Sequence, residues 1–354
     1  MTARYLVGRV GQAVLVLWAA YTLSFLLLNA LPGDGILIKF ENPELGLSAD
    51  QVAMIREYYR VDDPLLLQYL HALSGTLRGD LGYSIETATP VADRIAAALP
   101  ATLQLASLAF VAAAILAVLV ALAASYARTP WLHNAISSIP SLFVSVPAFW
   151  LGIVLLQVFS FRLGWVPIIG AEGWQELVLP VATLAVPVSA PLAQIILRTL
   201  DDVATRPFVH VVEAKGASRW WTLTRHTARN SLLPVLTISG LLVAELVSGS
   251  VVTEAVFGRD GLGRLTTLAV SAQDLPVMQA IVLVAALAFV TVNLVVDLLY
   301  PVLDPRLRTG RTRPTPRPGP TASGHHPPDA PHAQRPEPAT VPAAAGAGLE
   351  GARP

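Results

Sequence analysis

The chain of 354 residues contains no cysteine, so disulfides, thiolate catalysis and cysteine-ligated zinc are excluded. Charge is scarce at 14% of residues, and the formal net charge is zero, so only its distribution along the chain is informative. No G-x-x-x-x-G-K-[ST] segment occurs, and the chain therefore lacks the loop that cradles nucleotide phosphates. The seven histidines show no metal-ligand spacing within a helix; His325 and His326 fall in a tail without aliphatic residues around them. What is abundant is apolar surface. Hydrophobic residues make up 54% of the chain, and the mean hydropathy is +0.57. That composition belongs to a polytopic, all-α membrane protein.

Six apolar stretches are long enough to span. The first, from Tyr5 to Leu31, is too long for the apolar core of a signal peptide and runs into Pro32-Gly33-Asp34 with no A-x-A cleavage site. The second runs from Pro100 to Tyr126 and the third over 132–161, with Pro140 and Pro147 seven apart and hence on one helix face. The fourth, Leu177 to Leu197, carries Pro180, Pro187 and Pro191 on one face. The fifth covers about Leu233 to Val252, and the sixth about Val277 to Leu299. A proline inside a membrane helix frees a carbonyl that must meet water or protein. Cavity-lining faces and the ordinary abundance of proline in such helices account for these positions equally well.

The polar stretch 32–98 holds ten Asp/Glu and five Lys/Arg, which places it outside by the positive-inside rule. Within it, Ser48-Ala49-Asp50-Gln51 forms a capping box for a helix through Tyr59. Asp63-Pro64 starts a second helix, and Thr89-Pro90 a third. Gly79-Asp80-Leu81-Gly82-Tyr83-Ser84 reads as a turn, in which Ser84 is expected to be reachable from outside. Trp165 and Trp174 suit an outer interface. The stretch 200–231 carries Arg206, Lys215, Arg219, Arg225 and Arg229 against Asp201, Asp202 and Glu213, an excess that places it inside. From Thr309 on, Pro, Ala, Thr, Gly and Arg dominate, and too little apolar area is present to offset the entropy of ordering.

The stretch from Arg206 to Pro234 links the fourth and fifth spans. Pro207 suits the first turn of a helix. Gly216 permits a sharp reversal, and Ser218 caps a second helix through Asn230. A helix–turn–helix on the membrane surface follows, although a basic loop obeying topology alone fits the spacing too. Here Glu213-Ala214-Lys215-Gly216, then Arg225-His226, Arg229-Asn230 and Pro234, resemble the cytoplasmic coupling loop of ABC-importer permeases of the dipeptide/oligopeptide/nickel group. The Gly79–Ser84 turn, the Glu254-Ala255-Val256-Phe257 to Gly261-Leu262-Gly263 element and the Asp304–Arg308 ending are similar to motifs of the same family. The resemblance covers residues 4 to 308 and favours the B-type subunit. His210-Val211-Val212 and Glu213 depart from the family pattern.

The resemblance implies a type I importer permease fold of six transmembrane helices in the plasma (inner) membrane, with both termini cytoplasmic. It also implies a division into a first helix (1–31), an extracytoplasmic helical segment (32–98), a five-helix core (99–308) with its coupling loop (200–231), and a disordered cytoplasmic tail (309–354). Implied partners are a sister C-type permease, two ABC ATPase subunits that bind ATP and Mg, and an extracytoplasmic solute-binding protein, all amid membrane lipid and without nucleic acid. The chain itself would be no enzyme and would hold no cofactor or metal. Val212, Glu213, Ala214, Lys215, Gly216, Ala217 and Ser218 are the candidate ATPase contacts. Glu245, Ser248 and Gly249, in the fifth span, are candidates for the translocation path. Peptides are the expected cargo, with nickel chelates, glutathione and glycans as alternatives. A secondary transporter is the remoter alternative; it would need a coupling-ion site and usually internal repeats, and only Glu245 is clearly an intramembrane carboxylate. A membrane-anchored receptor would not require a basic helix–turn–helix between spans.

Overall fold

The computed structural model describes residues 3–30, 63–167, 173–222 and 228–303, together with positions 50 and 57. The capping box at 48–51 apart from position 50, the part of the coupling stretch at 223–227 and everything from 304 on lie outside the described residues. Twelve α-helices occur among the described residues: α1 (Ala3–Ala30), α2 (Leu65–Leu77), α3 (Val91–Tyr126), α4 (Pro130–Ser137), α5 (Ile139–Ser145), α6 (Ala148–Leu155), α7 (Gln175–Ala204), α8 (Pro207–Ala214), α9 (Arg219–Thr222), α10 (Ala228–Phe257), α11 (Leu262–Ser271) and α12 (Leu275–Leu303). A π-helical stretch, Leu156–Arg162, continues α6.

Four segments are unbroken candidate spans, and two bent pairs bring the number to six when each pair counts as one. α3 is longer than its apolar run implies. The helix opened at Thr89-Pro90 does not stop before the membrane but continues through Pro100 as one element of 36 residues. The third span is a correction to the expected single helix. Residues 130–145 and 148–162 meet at 97°. Val146 is extended, as a residue before proline prefers, and Pro147 opens the next helix. Pro140 and Pro147 therefore lie on different helices and share no face. The fifth span is bent by 43° between 234–247 and 249–257.

The bundle is built on small residues. Along α3, Ala106, Ala109, Ala113, Ala117, Ala121 and Ala124 recur at three- and four-residue offsets, and all are buried. They form one face, against which α7 packs Leu184, Ala185, Val188, Leu192 and Ala193. Small side chains let two backbones approach closely, which is how apolar helices gain packing energy where lipid already satisfies their apolarity. The other side of α3 presents Leu103, Leu108, Val111, Ile115, Val118 and Leu119 outward. Gly240 of α10 serves the same end, since a Cβ there would stand 3.1 Å from Val296 Cγ2 on α12. α1 joins α12 near one end of the bundle through Arg9 Nη2 and Asp297 Oδ1, 3.1 Å apart.

Candidate functional site

The element between α7 and α10 takes its shape from one glycine. α8 ends at Ala214, and Gly216 follows with φ of +87°. That backbone state is open to glycine and costly for residues with a Cβ. The Ala217 N–H reaches back to the Val212 carbonyl at 3.2 Å, and the Lys215 N–H donates to Val211 O at 3.2 Å. This 6→1 closure satisfies carbonyls at the helix end. The chain then reverses, and Ser218 Oγ accepts from the Trp221 N–H at 3.3 Å as α9 begins. The turn and cap expected at Gly216 and Ser218 are thus present; α9 is described only as far as Thr222.

Of the seven candidate contacts, Ala214, Lys215, Gly216 and Ser218 are exposed, Val212 and Ala217 are half-buried, and Glu213 belongs to α8. Beside them Val211 is 54% exposed and Trp220 57%, with Trp221 and Phe208 also open. The Trp220 ring lies 6.5 Å from that of Tyr126, so α9 leans on the end of α3. A convex turn with apolar side chains around a lysine is a surface suited to a protein groove. It is continuous with α7, whose last turn leads through Thr205 and Arg206 into α8.

Two buried polar knots fasten the opposite end. Glu254, at the end of α10, is fully buried. Its Oε2 accepts the Gly263 N–H at 2.7 Å, and its Oε1 accepts from Thr102 Oγ1 at 2.7 Å. Thr102 Oγ1 in turn accepts the Leu262 N–H at 2.8 Å. The carboxylate and the hydroxyl together satisfy the first free N–H groups of α11, where an anion is favoured. The glycines follow from the crowding. A Cβ at Gly261 would stand 2.3 Å from Glu254 Oε2, and one at Gly263 would stand 2.3 Å from Val251 Cα. The spacing of Glu254, Gly261 and Gly263 is thus a packing requirement. Thr102, 152 positions away, carries no sequence signal of its own.

The second knot holds the Gly79–Ser84 turn. Asp274 is fully buried before α12 and accepts from Ser84 Oγ and from the Ile85 N–H at 3.2 Å. Arg94 Nη1 donates to Ser84 Oγ at 2.8 Å and lies 3.5 Å from Asp274 Oδ2. Ser84 is 1% exposed, which corrects the expectation that it is reachable from outside. Its hydroxyl anchors the turn to α12. Neither Arg94 nor Asp274 is marked by any local pattern.

The candidate path residues divide. Glu245 is exposed on α10, on the same side as Leu241 and Val252. This face points away from the chain's own core. Gly249 is half-buried, and a Cβ there would meet Leu184 Cδ2 of α7 at 3.6 Å, so it sits at a helix contact. Ser248 lies between them along the helix. Among the described residues no group of His, Asp and Glu is arranged to hold a metal ion.

Comparison with known proteins agrees with this geometry. Residues 113–309 match the family model described as binding-protein-dependent transport system inner membrane component. Residues 2–106 match the model of the N-terminal part of such components. A glutathione transport system permease protein, GsiC of Escherichia coli O6:H1, is 37% identical over 304 residues, covering 86% of this chain and 98% of that protein. The protein of the same name from Shigella dysenteriae serotype 1 is 36% identical over the same length. An inward-facing structure of the MetNI methionine ABC transporter superposes with a TM-score of 0.52 at 16% identity, covering 60% of this chain and 96% of the other, and so shares its fold. The chain belongs to the binding-protein-dependent transport system inner membrane components, the multi-pass permease subunits of ABC importers.

Proposed function

We propose that this permease carries short peptides inward, glutathione-like tripeptides among them, along a path it forms with a sister permease. Two separate ATPase subunits drive the cycle, and an extracytoplasmic binding protein delivers the cargo. The observation that carries this reading is the exposed helix–turn–helix at 207–222, which follows α7 after Thr205 and Arg206. ATP binding closes the ATPase pair, which draws the Gly216 turn with it and rocks the bundle toward an outward-open state. The chain's own residues catalyse no bond change. The peptide assignment is supported by the relatives named for glutathione transport, which match nearly the whole of their length.

Glu245 has a place in this reading. A carboxylate near the centre of a membrane helix costs about 2.5–3.5 kcal/mol on insertion scales, so it faces protein or water in the assembled transporter. On α10 it lies outside the chain's own core, on the surface left for the sister subunit or the path. There it attracts the ammonium group of a passing peptide. The test is ATP-dependent uptake into vesicles of trialanine, glutathione, a nickel chelate and a maltooligosaccharide. Preference for the first two supports the cargo class; transport of only the chelate or the sugar contradicts it. Replacing Glu245→Gln is expected to lower uptake of trialanine more than that of N-acetyl-trialanine at equal amounts of complex. Equal loss for both assigns Glu245 to packing.

A further inference from the structure

A second charged group lies beyond the reach of that argument. At the outer end of the bundle a cavity of about 380 Å³ opens between α3, the segment after the π-helical stretch, α7 and the end of α10, lined by Ala101, Val166, Gln175, Glu176, Phe257 and Arg259 among others. Arg259 stands two residues past the end of α10, and its side chain is only 13% exposed. A guanidinium carries five N–H donors and stays charged at any physiological pH. Its Nε is buried without a hydrogen-bond partner among the described residues. Nη1 is ion-paired with Glu176 Oε2 at 3.6 Å, longer than a hydrogen bond, and the Glu176 side chain is 49% exposed. Asp260, the adjacent carboxylate, is engaged by Arg264 instead. Glycine at 258, with φ of +65°, turns the chain between the helix end and Arg259.

A guanidinium in a cavity wall, whose charge partner among the described residues is a long pair to a half-exposed acid, is open to a better-placed acceptor. We propose that Arg259 binds the carboxylate of the cargo at the outer mouth, as cargo passes from the binding protein into the permease. Glu176 occupies the neighbourhood loosely in the empty state and swings into solvent when the carboxylate arrives. With Glu176 displaced, the end formed by the two Nη groups matches a planar carboxylate in two parallel hydrogen bonds. A monoanion fits better than a phosphate dianion, because Glu176 and Asp260 both border the cavity. The site rests on the peptide-import reading for the source of the carboxylate, and its chemistry complements Glu245, which suits the opposite end of the same molecule.

The natural absence of cysteine makes the test clean. Gln175→Cys, and separately Val166→Cys, puts a single thiol of this chain in the cavity wall of the assembled transporter. Its modification by a neutral maleimide is timed with and without trialanine or trialanine amide. Trialanine is expected to slow the reaction and the amide is not. In the Arg259→Gln background about tenfold more trialanine is expected for the same slowing, as for loss of one charge-assisted hydrogen bond. Equal slowing by both peptides, slowing that survives Arg259→Gln unchanged, or no slowing at either position overturns the site. ATP-dependent uptake of trialanine by the same vesicles is read separately. Uptake without protection refutes the Arg259 site alone, and protection without uptake refutes the import reading alone.

Discussion

The residues that matter most at the outer end are buried acids. Glu254 and Asp274 are both fully inside the protein, yet each is surrounded by donors placed to receive it. Such a knot is stable only while every member is present. Thr102→Val removes the acceptor of the Leu262 N–H and a donor to Glu254 while preserving volume. It is expected to cost about 1–3 kcal/mol, the penalty of leaving buried polar groups unpaired, seen as a lower melting temperature of the purified complex. Gly263→Ala is expected to be at least as damaging, because its Cβ meets the backbone of Val251, which cannot swing aside. An unchanged melting temperature for both variants would show that this knot does not hold α11. At this scale the sequence was only half legible. The glycines and Glu254 stand within ten residues of one another and read as a motif. Thr102, Arg94 and Asp274 are brought in by tertiary folding from 150 or more positions away in part, and no local pattern announces them. Ser84 read as an exposed turn residue because its partner, Asp274, was invisible from where it stands in the chain.

At the scale of elements, proline shows why a residue type does not dictate an outcome. Pro100, Pro180, Pro187, Pro191 and Pro234 all lie inside helices that continue past them. Pro147 instead ends up at a 97° break. Each proline frees one carbonyl, and neighbouring helices decide whether the helix persists. α3 and α7 are packed together along an alanine face, and their prolines lie within unbroken helices. The broken segment at 130–162 has no such face, and Val146 takes the extended conformation open to it. Apolar length and the Gly216 reversal, by contrast, were readable directly, because they depend on local chemistry. Gly216→Val tests the coupling element. A β-branched residue at a φ of +87° is strained by about 1–2 kcal/mol, too little to unfold a bundle anchored elsewhere. The variant is expected to insert and assemble with its sister subunit while ATPase association weakens and uptake falls sharply. Normal uptake at normal expression would show that the turn is not the point of coupling.

For the whole molecule, the helix directions put the ends of α3, α7 and α12 and the start of α1 and α10 on one side, with the 207–222 element. The starts of α3, α7 and α12, the Glu254 and Asp274 knots and the Arg259 cavity lie on the other. Charge counts assign the first side to the cytoplasm. Single cysteines in this thiol-free chain report the arrangement. Thr87→Cys, exposed beside the anchored turn, is expected to react with an impermeant reagent from outside, and Ser218→Cys only after the membrane is opened. The reverse pattern would invert the protein. The claim on which the rest depends is that ATP, acting through the Gly216 turn, moves this bundle. The most direct measurement is accumulation of trialanine in vesicles holding the complete transporter, with ATP supplied on the ATPase side and all ion gradients collapsed by ionophores. Accumulation that requires ATP, survives the ionophores and is lost in Gly216→Val is the predicted result; accumulation that proceeds without ATP and disappears with the ion gradients would contradict it.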